Sequence, residues 1–280
     1  MKQERFTLDG LERSYLLYEP QTATGGPYPL VLALHGGGGS GQQFLQMTQQ
    51  DWNRLADTHG FVVAYPDAVD GFWDFGGGFV SEIRAQNVDD LAFFNVLIDR
   101  IATTATIDQD RIFATGLSRG GHASYALACK IPGKIRAIAP VVMPLPAYLE
   151  PDCRNGPPVP IAILNGTADP IVPYDGGRVR VFGRTRGKVM STDATVDLWT
   201  KRNGCTDTSV SQVIDPANDE TVITKMAYEG CTGAPVVLYQ IEGGGHTWPG
   251  GKPFAPKAVV GPISQDLNGA EEIWQFFAQF

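Results

Sequence analysis

The chain is predicted to be α/β, a mostly parallel central sheet with helices on both faces, and three observations predict it. Short continuous apolar runs recur at 29–34, 61–65, 111–115, 136–142, 159–164 and 235–241, and a strand that is apolar throughout is one covered on both faces. Stretches of helical periodicity lie between them, which is the alternation a parallel sheet needs. A length of 280 residues, 43% hydrophobic and 19% charged, can bury a large core and fits one domain over 1–280.

Each helix is marked at its ends. Residues 42–59 form one pattern closed by Gly60, and residues 89–104 place Leu91, Phe94, Leu97, Ile98 and Ile101 on a single stripe. Residues 120–131 are stopped by Pro132. The last helix opens on Asn268 with Glu271 in a capping-box-like pair and runs through Trp274 and Phe277. The polar segment 205–233, with Asp215-Pro216-Ala217-Asn218-Asp219 at its centre, reads as an insertion within the one domain.

The four cysteines show no Cys-x-x-Cys spacing and no nearby histidines, so no metal site is expected and disulfides are. Cys205 and Cys231 bracket the insertion, and a bridge between them would pin it to the end of the preceding helix. Cys129, late in the helix after Ser118, and Cys153, in the Pro-rich loop 150–158, are the second candidate pair, with two free thiols as the alternative. Two bridges imply an oxidising compartment, so a secreted or periplasmic location is expected.

A net charge of −8 offers nucleic acid and anionic membrane surfaces no attraction, and no run of several Lys or Arg overrides it, so neither is expected as a partner. No apolar stretch approaches the roughly 20 residues needed to span a bilayer. The opening Met1-Lys2-Gln3-Glu4-Arg5-Phe6 lacks the apolar core of a signal peptide, so a leader is expected to be absent from the chain as given.

Gly116-Leu117-Ser118-Arg119-Gly120 joins the strand at 111–115 to the helix at 120–131. In that setting Gly-x-Ser-x-Gly is a nucleophile elbow: a sharp turn presents the serine, and glycines flank it because a Cβ would strike the neighbouring strand or helix. A serine hydroxyl needs a histidine to take its proton and a carboxylate to orient the imidazole. In the chain order of α/β-hydrolases, serine, acid, histidine, only His246 of the four histidines lies far enough downstream, in a glycine-rich loop after the strand at 235–241. Asp169, just beyond the strand at 159–164, is the expected acid, with Asp175 its competitor.

The oxyanion formed by attack on a carbonyl needs two backbone N–H donors. Arg119 supplies one by following the nucleophile, and Leu34-His35-Gly36-Gly37-Gly38-Gly39 supplies the other through Gly37, or through Gly38 in its place. His35 is expected to brace that loop, His122 to lie under the site or at its rim, and His59 to be a solvated helix end. No Gly-Lys-Ser/Thr follows the glycine loop and no dinucleotide fingerprint is present, so no cofactor is expected. Trp73, in the aromatic stretch 72–79, and Trp248, just after His246, are the expected walls for an apolar or aromatic acyl group.

Gly116-Leu-Ser-Arg-Gly-Gly121, Asn165-Gly-Thr-Ala-Asp-Pro-Ile-Val-Pro-Tyr174 and Gly243-Gly-Gly-His-Thr-Trp-Pro-Gly-Gly251 together resemble the esterase family that joins polyhydroxybutyrate depolymerases and feruloyl esterases, and the likeness spans nearly the whole chain. The resemblance implies an α/β-hydrolase fold, Ser118, Asp169 and His246 as a metal-free triad working through an acyl-serine, and usually secretion; it also supports the pairing of Cys205 with Cys231. Feruloyl-type aromatic-acid esters are the expected substrates. Hydroxybutyrate-type polyesters or oligomers are the alternative, and acyl transfer by the same triad is an alternative of another class. Arg119 and His122 depart from the pattern, standing where relatives commonly carry a small or neutral residue and a methionine, which bears on substrate rather than on chemistry. The linker and extra binding domain common in extracellular polyester depolymerases are missing, which favours soluble or oligomeric esters.

Overall fold

In the computed structural model, which describes residues 1–21, 25–77, 88–181, 183–206 and 208–280, the chain first forms β1 (Lys2–Leu8) and β2 (Leu11–Tyr18), an antiparallel hairpin turned by Asp9 and Gly10, both at positive φ. β1 alternates between exposed and half-buried residues and so carries no continuous apolar run. β3 (Tyr28–Leu34) follows, and then two helices, α1 (Gly41–Met47) and α2 (Asp51–His59), in place of the single helix expected at 42–59. The break is made by Gln49 and Gln50 at φ 54° and 62°. No glycine or proline marks it; tertiary packing imposes it, because the turn sets buried Trp52 edge-on against Phe61 and Trp248 and brings buried Asp51 within 2.6 Å of the Asn268 amide.

β4 (Val62–Pro66), α3 (Asp90–Thr104), β5 (Ile107–Leu117), α4 (Arg119–Lys130) and β6 (Ala137–Val141) continue the alternation. α3 starts where the Asp89 side chain accepts from the Ala92 N–H at 3.0 Å. α5 (Glu150–Arg154) and β7 (Ile161–Gly166) follow, then a separate two-stranded hairpin of β8 (Gly177–Val181) and β9 (Arg184–Val189), then α6 (Thr192–Arg202). The expected insertion folds as β10 (Ser209–Ile214) and β11 (Val222–Tyr228), which extend the main sheet antiparallel beyond β12 (Val236–Glu242). β10 is the outermost strand and leaves Val210 and Val213 exposed. α7 (Lys257–Val260) and α8 (Gly269–Phe277) end the chain, α8 being capped by Asn268, whose side chain accepts from Ala270 and Glu271.

The main sheet runs β1-β2-β4-β3-β5-β6-β7-β12-β11-β10, with β4, β3, β5, β6, β7 and β12 parallel. Side chains along a strand alternate between its faces. Leu30, Leu32 and Leu34 of β3 accordingly join a core with Phe93, Phe94 and Leu97 of α3 and Leu127 of α4. Val31 and Ala33 join one on the other face with Phe44, Trp52, Ile273 and Phe277. With helices on both faces the parallel strands have no wet side, and β4, β6 and β7 are buried at every position.

Both expected disulfides are formed. Cys129–Cys153 ties the end of α4 to α5, and Cys205–Cys231 ties the chain just after α6 to the end of the edge hairpin. Because 26 positions separate Cys205 from Cys231, the bridge should contribute about 3 kcal/mol on the chain-entropy account. The double substitution Cys205→Ser/Cys231→Ser is expected to lower the unfolding free energy by about that amount while leaving turnover of the folded protein nearly unchanged. Urea unfolding and steady-state rates on the same preparation check both halves.

Candidate active site

β5 ends at Leu117 and α4 begins at Arg119, so Ser118 makes the turn between them, at φ 54° and ψ −112°. A side-chain-bearing residue holds such a conformation only where its surroundings enforce it. Here the Ser118 N–H donates to the Val141 carbonyl at 2.8 Å and the Ser118 carbonyl accepts from the His122 N–H at 2.9 Å. The flanking glycines permit the approach: a Cβ on Gly116 would stand 2.3 Å from the Leu34 carbonyl oxygen, and one on Gly120 2.1 Å from it.

On the far side of the site, glycines carry the chain from β12 back across the end of β7. A Cβ on Gly245 would lie 2.2 Å from the Val260 oxygen, and one on Gly166 2.3 Å from the Gly244 oxygen. His246 follows, its N–H donating to the Val260 carbonyl at 2.5 Å. Its Nδ1 lies 2.7 Å from Asp169 Oδ2, and the two side chains are only 4% and 2% exposed. The other Asp169 oxygen accepts from the N–H groups of Ile171 and Val172 at 2.8 Å each. One carboxylate therefore fixes its own turn with one oxygen and the imidazole with the other. Asp175, the competing acid, is exposed, and the bond to His246 goes to Asp169.

The glycine loop after β3 is held from below by His35. Its Nδ1 sits 2.7 Å from the Gly36 carbonyl, the Ala68 N–H donates to its Nε2 at 3.1 Å, and the Trp73 indole N–H donates to its carbonyl at 3.0 Å. A ring nitrogen that accepts from a backbone N–H carries no proton, so His35 is neutral and donates through Nδ1. Within the loop, the Gly38 N–H donates to Gly71 at 2.8 Å and the Gly39 N–H to Gly36 at 3.1 Å. The Arg119 N–H belongs to the first turn of α4, where N–H groups point off the helix end.

Ser118, His246 and this loop open onto a cleft of about 790 Å³. Met47, Phe72, Ile171, Val179, Val181 and Phe254 form its apolar walls, and Arg119, Arg186 and Lys252 are the cations in its lining.

The family described as Esterase PHB depolymerase matches residues 13–142. The NocK protein of Nocardia uniformis subsp. tsuyamanensis is 30% identical over 280 residues, covering 95% of this chain and 79% of that protein. The chain belongs to this esterase family. Feruloyl esterase B of Piromyces equi is 31% identical over 231 residues, covering 80% of the present esterase and 40% of the relative, so the chain spans well under two thirds of that protein. Among solved structures, the acetyl xylan esterase from Aspergillus awamori superposes with a TM-score of 0.62 at 12% identity over 99% of both chains, a likeness of fold. The protein is a carboxylic ester hydrolase on an α/β-hydrolase fold.

Two expected wall residues lie elsewhere in the esterase. Trp73 is 1% exposed, tilted against His35 and Phe94 in the core, its indole N–H spent on His35. Trp248 is 2% exposed, set edge-on against Phe44 and Trp52. The aromatic walls are instead Phe72, the neighbour of Trp73, and Phe254, six positions beyond Trp248. Successive residues of an extended loop point to opposite sides, and residue type alone does not say which side faces substrate. Gly78 and Phe79 of the aromatic stretch lie outside the described residues. His122 is 1% exposed, its Nε2 2.7 Å from the Tyr148 hydroxyl, and so belongs under the elbow rather than at the rim. His59 is exposed at the end of α2, tilted against Trp274.

Two outcomes follow from this packing. Gly120→Ala forces a Cβ into the Leu34 carbonyl, a backbone atom that cannot swing aside, and is expected to cost upwards of about 3 kcal/mol or to abolish soluble protein, as overpacking does at its worst; thermal melts of the purified variant check it. Burial pushes His35 and His122 below the ordinary histidine value of 6.5. Both rings protonate more readily unfolded than folded, so they contribute stability that is present above that value and lost as pH falls below it. The unfolding free energy is expected to fall with pH in that range, and His122→Gln to flatten the slope by up to about 1.4 kcal/mol per pH unit, as a urea titration at several pH values will read.

Proposed function

We propose that the protein is a serine esterase in which Ser118 is the nucleophile, His246 the general base and Asp169 the orienting acid. The observation that carries this is the 2.7 Å contact between His246 Nδ1 and Asp169, with His246 lining the same cleft as Ser118. His246 Nε2 takes the proton from Ser118 Oγ as that oxygen bonds to the ester carbonyl carbon, and Asp169 stabilises the resulting imidazolium. The carbonyl oxygen becomes an oxyanion between the N–H groups of Arg119 and Gly37; Gly37 is preferred to Gly38 because the Gly38 N–H is already given to Gly71. The carbon–oxygen bond to the alcohol then breaks, the alcohol leaving with the proton from His246. Water enters, gives its proton to His246 and attacks the acyl-serine, releasing the acid and restoring Ser118.

The substrate class proposed is the feruloyl type of aromatic-acid ester. The apolar walls of Phe72, Ile171 and Phe254 suit a flat aromatic acyl group, and feruloyl esterases are among the relatives. Polyhydroxybutyrate-type esters are the second reading, favoured by the description of the matching family. The two disulfides support folding in an oxidising compartment and hence a secreted or periplasmic protein. One catalytic domain over 1–280 completes the reading.

Ser118→Ala is expected to lower kcat by about 10⁴ to 10⁶ and to abolish labelling by a serine-directed phosphonate, and Asp169→Asn to lower kcat by about 10⁴ through the wrong imidazole tautomer. A tenth of wild-type turnover in the first variant, or greater damage from Asp175→Asn than from Asp169→Asn, would overturn the assignment. Initial rates on methyl ferulate and on hydroxybutyrate oligomers decide between the substrate classes.

A further inference from the structure

The β8–β9 hairpin carries five of the 22 Lys and Arg residues, Arg178, Arg180, Arg184, Arg186 and Lys188, and no carboxylate, in a chain whose net charge is −8. Strand register gives it two unlike faces. Val179 is buried on the inner side opposite Gly187, and Val179, Val181 and Arg186 line the cleft. Arg178, its cross-strand partner Lys188, and Arg180 share the outer side; Arg184, paired with Val181, stands at the edge next to the turn, and all four are exposed. Among the described residues these four side chains make no ion pair and no side-chain hydrogen bond. Like charges placed directly opposite on a two-stranded ribbon destabilise it, so the Arg178–Lys188 pair works against the hairpin unless an anion lies across it.

We infer that this outer face docks a polymer of carboxylates, an acidic polysaccharide, and leads its ester groups into the adjoining cleft. The inference rests on the esterase reading for the cleft alone. Residues two apart on one strand face stand roughly 7 Å apart, so the hairpin offers a spaced array of cations rather than the single point that one carboxylate would need. A duplex carries one negative charge per roughly 1.7 Å of its axis, so a chain of net charge −8 is repelled by it more strongly than by the sparser carboxylates of a polysaccharide.

The test uses the Ser118→Ala protein, so that bound ester is not consumed, with and without Arg178→Gln, Arg180→Gln, Arg184→Gln and Lys188→Gln together. Affinity electrophoresis through gels containing polygalacturonate is expected to retard the parent, and the fourfold variant or added salt to weaken binding by about tenfold or more, since exposed charges are screened over roughly 8 Å at physiological ionic strength. Neutral arabinoxylan is expected to retard neither protein differentially, and an unchanged melting temperature shows that the variant is folded. Absence of polygalacturonate binding at low salt, equal retardation of parent and variant, or binding to duplex DNA as tight as to polygalacturonate overturns the inference. Hydrolysis of methyl ferulate by the wild-type protein tests the esterase reading separately, so a failure of either is told from a failure of the other.

Discussion

The site depends on one close approach between backbones, where the Leu34 carbonyl at the end of β3 faces the two glycines that flank Ser118. Neither Gly116 nor Gly120 leaves room for a Cβ there. That contact sets the distance between the loop after β3 and the start of α4, and so, in the proposed mechanism, decides whether the N–H groups of Gly37 and Arg119 can point at one oxygen. A shift of 1 Å would be felt in catalysis, because preorganised donors act only at the position the oxyanion takes. Glycine at 166 and 245 plays the same part on the histidine side. Between them these approaches leave the strand ends of a rigid sheet almost no freedom, and the loops inherit that rigidity.

Three polar side chains beneath the site hold its loops in place. His35 spends both ring nitrogens on the backbone, Asp169 divides its oxygens between its own turn and His246, and Trp73 gives its indole N–H to the His35 carbonyl. Further out, the buried Asp90 carboxylate meets Arg13 at 2.5 Å and accepts from the Asp74 N–H at 2.6 Å, which fastens the segment carrying Phe72 and Trp73 to the start of α3. Burial raises the proton affinity of Asp90 while Arg13 lowers it. Removing either partner would strand a buried charge, a far larger loss than the pair itself contributes.

The parallel strands and most helices were legible because an element covered on both faces, or on one stripe, has to show it in residue type. The Ser118 turn between β5 and α4 and the meeting of His246 with Asp169 were legible because the turns that carry them need glycine or follow a strand end at once. Elements whose residues answer to partners rather than to a local pattern were not. β1 and β10 are half-covered or uncovered, and Gln49 and Gln50 break a helix with residues that helices accept. Phe72 and Trp73 are neighbours of equal aromatic character, and only the folded loop decides that one faces the cleft and the other the core. The grouping of Arg178, Arg180 and Lys188 on one side of the β8–β9 hairpin is not written in either strand alone, because strand pairing is what sets Lys188 opposite Arg178.

The main sheet ends in two open edges, and they are guarded differently. β1 carries Lys2, Glu4 and Arg5, charges that discourage another strand from pairing there. β10 is Ser-Val-Ser-Gln-Val-Ile, uncharged throughout and with two valines bare to solvent, so its defence is the hairpin staple at Cys205 and Cys231. Protein synthesised in a reducing cytosol therefore carries an edge free to fray and recruit neighbouring chains. Inclusion bodies, rather than a slower enzyme, are the way a missing staple shows itself.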